Sequence, residues 1–151
     1  MRFLNENSLK IREMDLDKIP GLQESFSKAK VVLFTTFSEK GEKHIRQMTN
    51  LNEDPYSEMW FTSYTKSRKV EDLKRTPRVV ISFPSGRGDD LYEIEGRAEF
   101  ERRDVVEAKW SWWYLYWHPD QEDRFWFPRG EEHPDWTIIN VYPESARLVK
   151  R

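Results

Sequence analysis

Cysteine is absent from this 151-residue chain. That excludes a disulfide framework, a thiolate metal site and a cysteine nucleophile, and it fits a reducing compartment. Excess charge of either sign is small: 25 Lys and Arg against 27 Asp and Glu leave a formal −2. A general polyanion binder would carry a large basic surplus. Long apolar runs are missing, and no stretch approaches the roughly 20 residues of a membrane-spanning helix. The opening MRFLNENSLKIREMDLDK is charged throughout and lacks the apolar core of a signal peptide. A soluble, cytoplasmic protein is therefore expected. Histidine is scarce as well. His44, His118 and His133 are too widely spaced to suggest a metal site. No P-loop, nucleophile elbow or G-x-G-x-x-G stands in the chain.

What is plentiful is aromatic. Seven tryptophans occur, mostly between Trp110 and Trp136, a density that suits a subunit contact or a flat ligand. In WSWWYLYW the indoles at 110, 112, 113 and 117 cannot share one helix face, so packing roles are expected for them. The length suits a single domain over residues 1–151, and no repeat, low-complexity segment or linker divides it.

Hydrophobic patterning sets the expected elements. From Asp15 the chain opens a helical segment carrying Leu22, Phe26 and Ala29 at helical spacing. VVLFTTF (31–37) is β-branched and aromatic, a strand by composition. After the turn residues Ser38–Glu42, HIRQMTNL (44–51) reads as the returning arm of a hairpin. Alternation puts His44, Arg46 and Met48 on one face, and Ile45, Gln47 and Thr49 on the other. EMWFTSY (58–64) is a third strand. A two-turn helix from Ser67 to about Lys74 follows, buried through Val70 and Leu73 and closed by Pro77. RVVISF (78–83) and LYEIEGRAEF (91–100) are further strands, the latter with Tyr92, Ile94, Gly96, Ala98 and Phe100 on one face. Asp104 is placed to cap a helix through the Trp cluster, and WTIINVYPESARLVK (136–150) supplies a last strand or two. Six or so mainly antiparallel strands with short helices predict a mainly β, α+β chain forming a small closed or split β-barrel.

Ser67-Arg68-Lys69 raises a functional question. As N-cap, Ser67 would bring its hydroxyl and the first free N–H groups of the helix to one point, a weak anion site. Arg68 adds a planar donor fork and Lys69 a point charge. With Glu71 and Asp72 behind it, the same tripeptide also reads as a solvated surface turn.

The wider context resembles one family. The order strand–Thr62–loop–Ser67-Arg68-Lys69–Val70–two turns–Pro77-Arg78–strand is similar to the FMN-binding motif of the pyridoxamine 5′-phosphate oxidase-like family, and more narrowly to its general stress protein 26-like branch. His44-Ile-Arg-Gln-Met stands where that family has an Arg-containing, FMN-contacting strand. LYEIEGRAE matches its V-x-V-x-G-x-A strand, and FWFPRGEEHPDWTIINVYPESARL resembles the branch's ending, so the resemblance runs from about Val31 to Leu148. It implies a homodimeric split barrel with FMN at the subunit interface. By position, Arg46, Ser67, Arg68 and Lys69 would take the phosphate and ribityl side. Gln47, Met48 and Thr49, with Trp60, Phe61 and Thr62, would line the ring or its edge. Trp126 is a candidate to approach the flavin edge. One residue more than the family pattern stands between Thr62 and Ser67, which leaves the roles of Ser63, Tyr64 and Thr65 open.

The function implied is a flavin-dependent oxidoreductase, with the chemistry carried by the cofactor and no catalytic side chain named. A pyridine nucleotide or another small redox molecule would be the partner. Authentic pyridoxamine 5′-phosphate oxidases carry a C-terminal Arg-x-His, whereas this chain has VYPESARLVKR there, so vitamin B6 oxidation is not expected. Alternatives are a non-turnover flavin-binding stress or redox-sensing protein, and the same barrel using F420. Heme would require His44 as its axial ligand, and a single-stranded nucleic-acid barrel would require a basic groove that the charge balance does not favour.

Overall fold

The computed structural model describes residues 19–109 and 136–150. Gly21, in the left-handed region at φ 84°, turns the chain into helix α1 (Leu22–Lys28). Leu22 and Phe26 anchor α1 in the core. Strands β1 (Val31–Phe37) and β2 (Lys43–Thr49) form the expected hairpin, pairing Val31 with Thr49 and Phe37 with Lys43. Then come β3 (Met59–Tyr64), helix α2 (Arg68–Arg75), β4 (Arg78–Pro84), β5 (Leu91–Phe100) and β6 (Trp136–Val149). Residues 103–109 are helical. Asp104 therefore lies in the first turn and is not the cap, and the first helical carbonyl acceptor belongs to Arg102. The Trp110–Trp117 segment lies outside the described residues.

The strands make one antiparallel sheet in the order β2-β1-β4-β5-β6-β3. The last of the expected strands is a single 14-residue element. Residues 136–141 of it pair with β3 and the stretch from Ile139 to Val149 pairs with β5, so β6 serves as the corner of the sheet. A register shift at Glu95/Gly96 supplies the bend. Only glycine fits there, because a Cβ on Gly96 would stand 2.7 Å from the Tyr142 carbonyl oxygen.

In a flat sheet β1 and β3, four steps apart, would be about 19 Å from each other at strand spacing. Instead Phe34 on β1 and Phe61 on β3 touch edge to face, with ring centroids 5.2 Å apart. The sheet is curled into a half-barrel around their shared side. That side also holds Val32, Val79, Ile81, Phe83, Tyr92, Ile94 and Val141. Asn50, just past β2 and 3% exposed, donates its amide to the Phe26 and Ala29 carbonyl oxygens. This satisfies the C-terminal end of α1 and clamps it to the hairpin.

Candidate functional site

Curling brings the two edges of the sheet toward one another, and α2 stitches them together. Ser67 is the N-cap, in extended conformation, and its Oγ accepts from the Val70 N–H at 3.4 Å. Lys69 Nζ donates to Ser63 Oγ at the end of β3 (2.9 Å), and Ser63 Oγ lies 3.1 Å from Ser67 Oγ. Val70 and Leu73 are buried beneath the helix, as its spacing predicts. On its other flank α2 reaches β1 and β2 through Asp72. Asp72 Oδ2 accepts from Thr36 Oγ1 and from His44 Nδ1, each at 2.7 Å. Arg46 Nη1 donates to Thr36 Oγ1 (3.0 Å) and to the Phe34 carbonyl oxygen (3.2 Å).

Asp72 departs from the surface-turn reading of this helix start. It is 3% exposed, whereas Glu71 beside it is solvated. A carboxylate so deep must be paired and hydrogen-bonded. Burial pushes its pKa up, but the Thr36 and His44 hydrogen bonds and the charges of His44 and Arg46 more than offset this. The carboxyl is held below its ordinary value. The cations show the opposite strain. Burial lowers the Arg46 guanidinium, with Asp72 opposing and Arg68 adding to the shift. Burial, then the charge of Arg46, lowers the Lys69 ammonium. Arg46 thus feels the charge of Arg68, and Lys69 that of Arg46, with the buried Asp72 carboxylate opposing at Arg46.

Of the residues expected to hold a cofactor, Arg46, Ser67, Arg68 and Lys69 come together here, Arg68 being the most exposed of the three cations. Met48, on the face of Arg46, packs partly buried against the core. Gln47 and Thr49 project from the opposite face and are exposed. Phe61 is a core residue at 1% exposure, so its side chain serves packing. Trp60 and Thr62 are half-buried on the other face of β3. Lys109 Nζ lies 5.0 Å from the centre of the Trp60 ring. Trp126 lies outside the described residues.

Thr36 and Asp72 are site residues that patterning alone passes over. A signal for Thr36 existed, since strand alternation and hairpin pairing set it opposite His44, in the row that also holds Arg46. Asp72 gave none, because a buried carboxylate is indistinguishable in sequence from a solvated one. Among the described residues no group of His, Cys, Asp and Glu is arranged to hold a metal ion.

A family model described as "Pyridoxamine 5'-phosphate oxidase like" matches residues 17–149. A search of curated proteins gives no match. Among solved structures, the chain is similar to a protein from Clostridium acetobutylicum related to general stress protein 26 and assigned to the pyridoxinephosphate oxidase family. That likeness has a TM-score of 0.62 at 21% identity, over 95% of this chain and 90% of that one. An F420 reductase matches with a TM-score of 0.62 at 21% identity, over 85% of this chain and 97% of that one. A FAD-binding protein from Mesorhizobium loti matches at 0.57 and 14%, over 83% and 88%. These likenesses show a common fold, the split β-barrel that the resemblance implied. With the family model spanning nearly all of it, the chain belongs to the pyridoxamine 5′-phosphate oxidase-like family.

Proposed function

We propose that the chain binds a flavin-type cofactor, FMN by preference, and serves as a flavin-dependent oxidoreductase of the general stress protein 26-like branch. The observation that carries this reading is the meeting of Arg46, Arg68 and Lys69 at the Ser67-capped start of α2. The three cations Arg46, Arg68 and Lys69 against the Asp72 carboxylate leave two positive charges among these four groups. A phosphate monoester carries about −1.5 to −2 at pH 7, so the donor set fits the terminal phosphate of FMN in charge. Free N–H groups of the first helical turn add oriented donors. A bound flavin would supply hydride or electron transfer at its ring. The chain's own part is to capture the phosphate end and so orient the ring, with Gln47, Met48, Thr49, Trp60 and Thr62 as candidate neighbours of the ring.

Homodimerisation with the cofactor at the subunit interface fits the outer face of the sheet. Val31, Leu33 and Ile45 are 51%, 36% and 58% exposed there. They share that face with Gln47 and Thr49 and with a depression of about 440 Å³. A cytoplasmic setting fits a chain without cysteine, and no helix among the described residues is long and apolar enough to cross a membrane.

A visible absorption spectrum of the purified protein, before and after FMN addition and desalting, tests the reading. Retained oxidised-flavin bands are expected, and so is flavin release on dilution that splits the dimer. A protein that retains no FMN would overturn the FMN assignment. The structural likeness to an F420 reductase makes F420 the second reading, to be tried by the same desalting experiment. Reduction of the bound flavin by a pyridine nucleotide would separate an oxidoreductase from a protein that only holds flavin.

A further inference from the structure

Arg46 is bound through a single nitrogen. Both protein acceptors, the Phe34 carbonyl oxygen and Thr36 Oγ1, lie on Nη1. A guanidinium has five N–H donors in a rigid fork, two of them on that nitrogen. Among the described residues the Nε–Nη2 edge makes no hydrogen bond. An edge of two parallel N–H groups is the shape that grips a phosphate bidentately.

The polarity of the chain of bonds behind Nη1 is fixed by chemistry. Arginine only donates, and an ionised carboxylate only accepts. Thr36 has one hydroxyl proton, which must go to Asp72 Oδ2, leaving an oxygen lone pair to accept from Arg46. His44 must carry its proton on Nδ1 to donate to the same carboxylate oxygen. The order is therefore Arg46 to Thr36 to Asp72, with His44 joining from the side. Thr36 is 0% exposed and Asp72 3%, so water cannot readily take over either link.

We infer that Thr36 is a positioning residue for Arg46: its buried hydroxyl, locked by Asp72 and His44, pins Nη1 and so presents the Nε–Nη2 edge to a phosphate monoester. This inference rests on the phosphate site proposed above. It adds Thr36, Asp72 and His44 to that site as residues acting through Arg46. A bare Arg-for-phosphate contact would tolerate loss of the Thr36 hydroxyl, because the charge would remain. A pinned fork would not, because Nη1 left with the Phe34 carbonyl oxygen alone can pivot about that one bond, and the bidentate geometry is lost.

The test compares dissociation constants for FMN and for riboflavin, which lacks the phosphate, by quenching of flavin fluorescence. The variants are Thr36→Val, which keeps shape and removes the hydroxyl, and Thr36→Ser, which restores it. In the wild type FMN should bind more tightly than riboflavin. Thr36→Val should lose roughly tenfold in FMN affinity, the size of one charge-assisted hydrogen bond, with riboflavin unchanged, and Thr36→Ser should recover most of that loss. Should Thr36→Val not fold, His44→Ala, at a partly exposed position, should cut FMN affinity about threefold. His44→Asn, whose Nδ2 stands in for the imidazole Nδ1, should rescue it. Equal loss for both flavins would make Thr36 a packing residue and overturn the inference. So would an unchanged FMN preference in Thr36→Val or His44→Ala. A wild type that binds FMN no better than riboflavin would instead overturn the phosphate site itself.

Discussion

Phe34 and Phe61 meet edge to face at 5.2 Å although three strands separate β1 from β3 within the sheet. That one contact joins the two sides of the half-barrel. It also sets the distance between Ser63, at the end of β3, and Thr36, two residues along β1 from Phe34. Helix α2 spans this gap, bonded to one side through Lys69 and to the other through Asp72. The site is therefore sensitive to core packing well below it.

Phe61→Ala should lower unfolding free energy by about 3–5 kcal/mol, the cost of emptying an aromatic site in a packed core. Urea denaturation measures this. Flavin affinity of the folded fraction should fall too, because the two anchors of α2 lose their fixed separation. A loss under 1 kcal/mol would mean that Phe34 and Phe61 do not close the half-barrel.

The three cations should not be equivalent. Burial disfavours the charged forms of Arg46 and Lys69, whereas Arg68 is exposed. Truncating a desolvated charged contact costs about 2–5 kcal/mol, whereas an exposed charge is screened and contributes less. Arg46→Ala and Lys69→Ala should each weaken FMN binding at least tenfold, and Arg68→Ala less. Isothermal titration against FMN would rank them, and Arg68→Ala as the most damaging of the three would contradict the geometry.

Lys69→Met should improve stability while harming binding. The ammonium is charged at neutral pH, where burial and Arg46 penalise it, and this penalty fades only as pH rises through its lowered folded pKa. Ser63, the acceptor of Lys69, retains Ser67 as a partner. Flavin-free Lys69→Met should unfold at a higher temperature than wild type, by the equivalent of about 1 kcal/mol or less. Saturating FMN, at a hundred times its dissociation constant, should stabilise the wild type by about 2.7 kcal/mol and the variant by less. Differential scanning calorimetry with and without FMN reads both effects.

Asp72 should shape the acid limb of stability. Its folded pKa lies below the ordinary 3.8. The contribution is therefore complete above pH 3.8, shrinks as pH falls below it, and is gone once pH passes the folded value. Asp72→Asn should cost about 1–3 kcal/mol at pH 7, and its stability curve should converge with that of the wild type at the acid end. Curves that stay parallel down to the acid end would show that the carboxylate charge is not what Thr36, His44 and Arg46 require.

Gly96→Ala tests the corner. A Cβ would meet the Tyr142 carbonyl oxygen at 2.7 Å and Val141 Cγ1 at 3.0 Å. One of these neighbours is backbone, and the strands must part at the register shift. A loss of about 1–3 kcal/mol is expected, seen as a lower urea midpoint. No loss would mean that β6 bends without the close approach.

Much of this molecule was legible along the chain because strand alternation is a local property. The faces of β2 and β5, the Ser67 cap, the Val70 and Leu73 anchors of α2 and the Pro77 stop follow from residues within a few positions of one another. The family resemblance added Arg46 to the Ser67-Arg68-Lys69 cluster and selected the split barrel over the closed one. Tertiary structure decided what depends on partners distant in sequence. It curled the sheet so that Phe34 meets Phe61, made one bent strand of Trp136–Val149, and placed Phe61 in the core. It also buried Asp72 between Thr36 and His44, giving the cations their counter-charge. The physical reason is that burial and charge pairing belong to space. Thr36 and Asp72, like His44 and Asp72, become neighbours only when the two edges of the sheet are drawn together across α2.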